Sequence, residues 1–331
     1  MMRAAVVKEF GPIESHAMGE LPDPQAGPGQ VVVTIRATAV NFVDILVVTG
    51  KYQFLPQRPF APGKLPVGVV SALGAGVSQL KVGDRVLTLA EQGGYAEKVA
   101  VDATQCFKLP DALSFTDAAA MSLIYDTSWF ALRERGRLAA GETVLVLGAT
   151  GGIGLAAIQL AKAFGARVLA AVSTPDKADL VRNAGADDII DLSQPNLRDS
   201  LREQVYAKNG GKGADVVIDP VGGDISDAAL RAVAWRGRMV IIGFAAGRIP
   251  SIKANYLLVK NIEVSGLQVS DYRKRMPALM AECIRDIFAL FEAGKLKPIP
   301  VVTYPLDEFA RALKDIETRR VRGRIVLIQN P

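Results

Sequence analysis

The chain has 331 residues, half of them hydrophobic and 22% charged, with a formal net charge of +5. That is too long for one ordinary core and suits two domains. No run of about eighteen apolar residues lacks a charge or a breaker, which argues against a transmembrane helix, and no run of five or more basic residues marks a nucleic-acid surface.

Met1 to Phe10 carries Lys8 and Glu9 in a strand-like run and lacks the apolar core of a signal peptide. Two cysteines far apart, Cys106 and Cys283, make a disulfide framework unexpected and a cytoplasmic home the default. The single histidine, His16, reads as a surface residue near an N-terminal hairpin. It leaves a zinc site without its usual ligands and a Ser-His-Asp mechanism without a G-x-S-x-G elbow.

Up to about residue 110, short β-runs alternate with Gly and Pro turns: Val31 to Ala37, Val67 to Leu73, Asp84 to Leu89 and Ala96 to Val101. This predicts a compact β-barrel. Asp117 to Arg135 then reads as helical. From Thr143 the period changes. Strands at Val144 to Leu147, Arg167 to Ala171, Asp188 to Ile190, Asp215 to Asp219 and Met239 to Ile242 alternate with helices at Gly151 to Phe164, Lys177 to Ala184, Leu197 to Ala207 and Ile225 to Trp235. Such alternation implies a doubly wound parallel sheet with crossover helices. After about residue 262 a long helix, Met276 to Ala293, and two strands, Val301 to Tyr304 and Arg324 to Ile328, flank a helix at Asp307 to Arg319. The cluster Arg319, Arg320, Arg322 and Arg324 reads as a solvated helix end.

The segment Val144 to Gly154 runs strand, glycine turn, helix. Gly151 lets the backbone approach a pyrophosphate, Gly154 lets the helix pack on the strand, and the free N–H groups of Thr150, Gly151, Gly152 and Ile153 face the phosphate charge. Ala149 replaces the first glycine of G-x-G-x-x-G, and Gly148 opens a G-x-x-G-x-x-G reading instead. About 20 residues on, where an NAD site places a carboxylate for the ribose, the chain reads Ala171-Val172-Ser173-Thr174-Pro175-Asp176-Lys177. Ser173, Thr174 and Lys177 predict a hold on a 2′-phosphate and hence NADPH, with Asp176 as a helix cap or near neighbour.

Several motifs follow in a fixed order: Asn41-Phe42-Val43-Asp44 with Gly50 and Tyr52, Val82-Gly83-Asp84-Arg85-Val86, Gly93-Gly94-Tyr95-Ala96-Glu97, the glycine turn with Gln159-Leu160-Ala161-Lys162, Asp219-Pro220-Val221-Gly222-Gly223, and Ile242 to Gly247. Together they resemble the medium-chain dehydrogenase/reductases, in the zinc-free NADPH:quinone oxidoreductase (zeta-crystallin-like) branch. The resemblance implies a GroES-like β-barrel domain built from both chain ends around an inserted Rossmann domain, divided as 1–123, 124–261 and 262–331. It implies nicotinamide in the cleft between domains, Thr127 near the cofactor phosphate and ribose, and Gly243, Phe244 and Ala245 lining the nicotinamide. It also implies a homodimer through the edge strand near Asn261 to Gly266; from the composition, no nucleic-acid or membrane partner is expected. The zinc-dependent cousins carry Gly-His-Glu where this chain has Gly63-Lys64-Leu65, so no metal ligand is expected. Leu46, Leu65 and Leu192 stand where relatives often carry Tyr, Glu and Tyr.

A metal-free enzyme of this kind adds hydride to a quinone or an α,β-unsaturated carbonyl (enone), whose charge spreads onto oxygen. Asn41 and Tyr52 are the candidate catalytic residues, Asn41 holding the ring or acceptor and Tyr52 donating a hydrogen bond; a barrel-edge aromatic is the alternative for Tyr52, and core packing for Phe244. Asp44 is expected to cap a turn or helix. The competing activities are an enoyl-thioester (enoyl-CoA) reductase, with Arg273, Lys274 and Arg275 at the mouth of a channel, and an NADPH-binding protein with little catalysis.

Overall fold

The computed structural model describes residues 1–318 and 320–329; Arg319 lies outside the described residues. In chain order the strands and helices are β1 (Met2–Val6), β2 (Ala17–Leu21), β3 (Gln30–Val40), α1 (Phe42–Val48), β4 (Val67–Leu73), β5 (Arg85–Thr88), β6 (Lys98–Asp102), β7 (Cys106–Lys108), α2 (Phe115–Met121) and α3 (Ile124–Trp129). Then come β8 (Thr143–Val146), α4 (Gly152–Ala163), β9 (Arg167–Val172), α5 (Ala178–Asn183), β10 (Asp188–Asp191), α6 (Leu197–Lys208), β11 (Ala214–Asp219), α7 (Gly223–Ala232), β12 (Val233–Ile241), α8 (Ala254–Lys260) and β13 (Glu263–Gly266). The chain closes with α9 (Val269–Arg275), α10 (Pro277–Glu292), β14 (Val301–Pro305), α11 (Phe309–Glu317) and β15 (Arg324–Ile328).

Two compact units result, one of 1–123 with 298–331 and one of 124–297. In the first, β3 is the hub: it pairs antiparallel with β4, β6 and β15. The alternating Val31, Val33 and Ile35 turn one face of β3 into a dry core with Val70, Val86 and Val101. Beyond the middle of β3, Val40 joins a second cluster with Ile45, Val48, Tyr95, Phe309, Leu313 and Leu327. The C-terminal strand is therefore part of this unit's core, as a barrel closed by both chain ends requires.

The second unit holds a six-stranded parallel sheet in the order β10-β9-β8-β11-β12-β13. This is the 3-2-1-4-5-6 order of a Rossmann domain, whose switch point falls between the first and fourth strands, here β8 and β11. Leu145, Leu147, Leu169, Val217 and Met239 are fully or almost fully buried, as strands covered on both faces demand.

Three expectations change. The return to the first unit comes at Pro298 and not at 262, because β13 is hydrogen-bonded to β12 and extends the parallel sheet. The helix expected over 117–135 is broken: Ser122 ends α2, Leu123 adopts a left-handed φ of 60°, and α3 runs into a π-helical turn over Phe130–Arg135. Arg324 does not sit at a solvated helix end. It opens β15, is buried, and donates from Nε to the Ala120 carbonyl at 3.2 Å, whereas Arg320 and Arg322 are exposed.

Candidate active site

At the carboxyl end of the parallel sheet, β8 leads through Leu147 to Gly148, which takes a left-handed φ of 58°. Its carbonyl accepts from Gly151 N–H at 3.0 Å, closing the turn before α4. A Cβ on Gly154 would lie 2.4 Å from the Gly148 oxygen and 2.6 Å from Ala149 Cα, so the close approach of helix to turn requires glycine. Gly151 differs: a Cβ there would meet only the Gly148 oxygen, at 3.3 Å, and the residue is exposed. No side chain caps α4 and no acid occupies its first turn. Its first N–H groups and the positive end of its dipole therefore lie, without a side-chain cap, beside the exposed Gly151.

Two further loops converge here. Asp219, fully buried at the end of β11, accepts from the N–H groups of Val221 and Gly222 through Oδ1, both at 2.9 Å. That folds Val221 over the glycine turn, where a Cβ on Gly148 would lie 2.8 Å from Val221 Cγ2. After β12, Ile242 N–H donates to the Asp219 carbonyl at 2.8 Å and Ala245 N–H to Pro220 at 3.2 Å. This loop brings Gly243, Phe244 and Ala245 beside the first two, with Phe244 40% exposed. Thr127 is buried on α3, whose neighbouring Ser128 Oγ donates to the Ile153 carbonyl at 3.2 Å and ties α3 to the start of α4. The sequence signal for this loop-holding role of Asp219 is its position at a strand end before Pro-Val-Gly-Gly.

On the other flank, β9 ends at Val172, and Ser173 and Thr174 are exposed beyond it. Lys177 N–H donates to the Thr174 carbonyl at 3.1 Å, closing a turn beyond the strand end in which the lysine is partly exposed. The neighbouring carboxylate that sequence reasoning passed over is Asp191, in register with Val172. Its oxygens accept from Ser193 N–H at 2.9 Å, Ser193 Oγ at 2.6 Å and Gln194 Nε2 at 2.7 Å. The Ser193 hydroxyl first, then Gln194, holds this acid below the usual carboxylate range. It is committed to its own turn and stays ionised.

The first unit holds the other candidates. Asn41 is buried at the start of α1. Its Oδ1 accepts from Arg324 Nη2 at 2.7 Å and its Nδ2 donates to the Ala39 carbonyl at 3.2 Å. Asp44 takes the Asn41 N–H at 2.8 Å and the Tyr95 hydroxyl at 2.9 Å, which is the helix cap expected of it. Burial pushes its carboxyl up to about 6, against the backbone N–H, the Lys64 and Arg324 charges and the Tyr95 hydroxyl. Tyr52 stands past the opposite end of α1, its N–H on the Leu46 carbonyl at 3.1 Å, so α1 separates it from Asn41. The Tyr52 ring packs edge-on to Phe54 at 6.2 Å and lies 5.5 Å from Lys64 Nζ.

Lys64, the residue where a metal-binding histidine was missed, is buried and donates to Glu91 Oε2 at 2.7 Å and to the Glu91 carbonyl at 3.1 Å. Among the described residues no three His, Cys, Asp or Glu side chains gather as a metal centre would need. His16 is buried rather than on the surface, its Nε2 3.3 Å from the Gly11 carbonyl. Arg273 is not at a channel mouth either: it is buried against Asp126, Nη2 to Oδ2 2.6 Å, with both side chains 1% exposed. Lys274 and Arg275 are exposed. No helix among the described residues is long and apolar enough to cross a membrane.

Residues 27–111 match the family described as alcohol dehydrogenase GroES-like domain, and 152–285 that described as zinc-binding dehydrogenase. A quinone oxidoreductase-like protein 2 homolog of Nematostella vectensis is 39% identical over 304 residues, 91% of this chain and 82% of that protein. The chain belongs to the quinone oxidoreductase family of medium-chain dehydrogenase/reductases. Within this family, the structure of Escherichia coli quinone oxidoreductase complexed with NADPH superposes with a TM-score of 0.89 at 30% identity, covering 98% of this chain and 99% of that one. A mycocerosic acid synthase-like polyketide synthase of Mycobacterium tuberculosis is 34% identical over 91% of this chain, which spans 14% of that protein. The GroES-like unit and the Rossmann unit are thus those of this family.

Proposed function

We propose that the chain is an NADPH-dependent, metal-free oxidoreductase that delivers hydride to a quinone or an α,β-unsaturated carbonyl compound. The observation that carries this reading is the α4 N-terminus: uncapped, free of acids, open at Gly151 and seated at the switch point of the sheet. A dinucleotide pyrophosphate suits that place. Thr127, Thr150, Gly151, Gly152, Ile153 and Gly154 would surround it. Ser173, Thr174 and Lys177 would take the 2′-phosphate, since no carboxylate ends β9 to repel it. Gly243, Phe244 and Ala245 would flank the nicotinamide. NADPH, when bound, supplies the hydride.

On the acceptor side, Tyr52 supplies a hydroxyl donor. Asn41 acts as a positioning residue, because both ends of its amide already serve Arg324 and Ala39. Both cysteines are free thiols, which supports a cytoplasmic setting. The unpaired outer edge of β13 supports a homodimer through that strand.

The test is a substrate screen with NADPH across quinones, alkenals and enoyl-CoAs. Turnover of quinones or alkenals, unaffected by exhaustive chelation, is expected. A loss on chelation that zinc restores would overturn the metal-free reading. Lys177→Ala should weaken NADPH binding about tenfold, on the order of one charge-assisted contact, and hardly alter NADH binding; equal effects on both would remove the 2′-phosphate role.

The similarity to a polyketide synthase segment favours one second reading, an enoyl-thioester reductase. Burial of Arg273 leaves Lys274 and Arg275 to meet the phosphates of such a substrate. Salt-sensitive enoyl-CoA turnover that weakens in the Lys274→Ala, Arg275→Ala double variant would favour it. Negligible turnover of every acceptor, with NADPH still bound, would leave a binding protein.

A further inference from the structure

Lysines are almost never fully buried unless paired, and Lys64 is the one buried lysine among the described residues, 5% exposed. The buried arginines are also held by oxygen partners. Arg238 is enclosed by Glu142 and the Gly136 and Arg137 carbonyls; Arg273 faces Asp126; Arg324 faces Asn41 and Ala120. Lys64 has oxygen partners from a single residue, the carboxylate and carbonyl of Glu91. An ammonium carries three N–H groups, so these two bonds leave a third; the Tyr52 ring centroid stands 5.5 Å from Nζ, and the buried Asp44 carboxyl is close enough for the Lys64 charge to act on it.

The neighbourhood suits a particular guest. Tyr52 and Glu91 are partly exposed, and the chain beside Tyr52 presents Phe54 (50% exposed) and Leu55 (42%). The cation thus stands beside one aromatic ring, on which a second, Phe54, packs edge-on. Gly63 fixes the approach: it takes a φ of 90°, and a Cβ there would lie 2.3 Å from the buried Tyr95 ring. Lys64 is therefore delivered from a turn packed on Tyr95, whose hydroxyl is itself anchored on Asp44.

We propose that the Lys64 ammonium, seated on Glu91 beside the Tyr52 ring, holds the acceptor oxygen that becomes negatively charged on reduction. This rests on the hydride-transfer reading above and narrows it. The acceptor is a flat, largely apolar carbonyl compound with one oxygen that gains charge, such as a quinone or an aryl enone. In the step, a C–H bond of the reductant, NADPH, would break, its hydrogen leaving with both electrons to form a C–H bond on the acceptor, whose conjugated π pair shifts onto the oxygen; NADPH would thereby become NADP⁺. The oxygen takes its proton afterwards from water, and Lys64 remains an ammonium.

The oxyanion claim is testable without turnover. 4-Nitrophenol, whose phenolate mimics such an oxygen, is titrated in the presence of excess protein and its ionisation read by visible absorbance. The intact protein should bind the phenolate and lower the apparent pKa of the phenol; Lys64→Met should not, Lys64→Arg should in part, and Lys98→Met should behave as wild type. With an acceptor found in the screen, Lys64→Met should lower kcat about a hundredfold to a thousandfold, the scale of one lost oxyanion donor, with NADPH affinity unchanged. Wild-type binding of the phenolate by Lys64→Met, or its undiminished turnover, overturns the proposal. If Lys64→Met does not fold, failure of the wild type to bind 4-nitrophenolate overturns it as well. A wild type that reduces nothing with NADPH defeats the hydride-transfer reading, and the phenolate titration then decides the Lys64 site separately.

Discussion

Asp44 shows how far a motif can be read from its residues alone. Asn41-Phe42-Val43-Asp44 was recognisable as a unit, and Asp44 as a cap, because an acid at the third helical position satisfies an N-terminal N–H. The partners that decide the chemistry are remote: Tyr95 lies 51 residues away and Arg324 283 residues from Asn41. No local pattern could reveal that Asn41 is occupied by the far end of the chain. The carboxyl at about 6 has a consequence for stability. Burial raises it above its ordinary value of 3.8, so between about pH 4 and 6 the folded state holds a proton that the unfolded chain has lost. Stability from this group is therefore full below the ordinary value and falls as pH rises towards 6, by at most about 1.4 kcal/mol per pH unit. Asp44→Asn removes the titration. Urea midpoints of wild type and variant should diverge with pH over that window, wild type losing ground as pH rises; parallel curves would show that Asp44 ionises alike in both states.

At the scale of elements, the glycine turn and α4 were legible because the constraints are local: a buried strand, a turn, then a helix whose packing needs no side chain at one position. The covering loop was less so. Val221 reaches Gly148 only because Asp219 gathers the Val221 and Gly222 N–H groups, and that fold-back depends on the neighbouring strand being β11. The structure separates two glycines that the motif treats alike. Gly154→Ala places its methyl 2.4 Å from the Gly148 oxygen, so turn and helix must move apart. A loss of about 1–3 kcal/mol in unfolding free energy is expected, with weaker NADPH binding. Gly151 has a φ of −80°, open to any residue, and its methyl would meet little of the protein. Gly151→Ala should keep the urea midpoint while weakening NADPH binding at least tenfold, since the methyl projects where the phosphate is proposed. Unaltered affinity in Gly151→Ala, measured by NADPH fluorescence, would separate this turn from the cofactor.

Over the whole chain, the alternation of elements identified the parallel sheet, while the family resemblance implied the barrel built from both ends and returned the chain to it too early. β13 is only four residues long and partly exposed, so it lacks the buried apolar run by which β8 and β11 announce themselves. Its pairing to β12 nevertheless makes it the last strand of the sheet, with an outer edge unpaired among the described residues. Unprotected edges invite a further strand. Here the surroundings offer apolar surface as well: Trp235 on β12 is 67% exposed, and Leu258 and Val259 on α8 are 79% and 75% exposed. The homodimer proposed above would use this edge, since a two-fold axis pairs a strand with itself and closes the assembly. The same symmetry sets the test. Ser265→Lys places a positive charge on each copy near the axis, where the two repel. Light scattering during size exclusion should show wild type at twice the chain mass and Ser265→Lys shifted towards the single chain at micromolar concentration, about 1.4 kcal/mol or more weaker, with partial recovery in high salt. NADPH binding should survive, since two strands, β11 and β12, stand between β13 and β8 in the sheet order. A wild type that elutes as a single chain at these concentrations would refute pairing through β13.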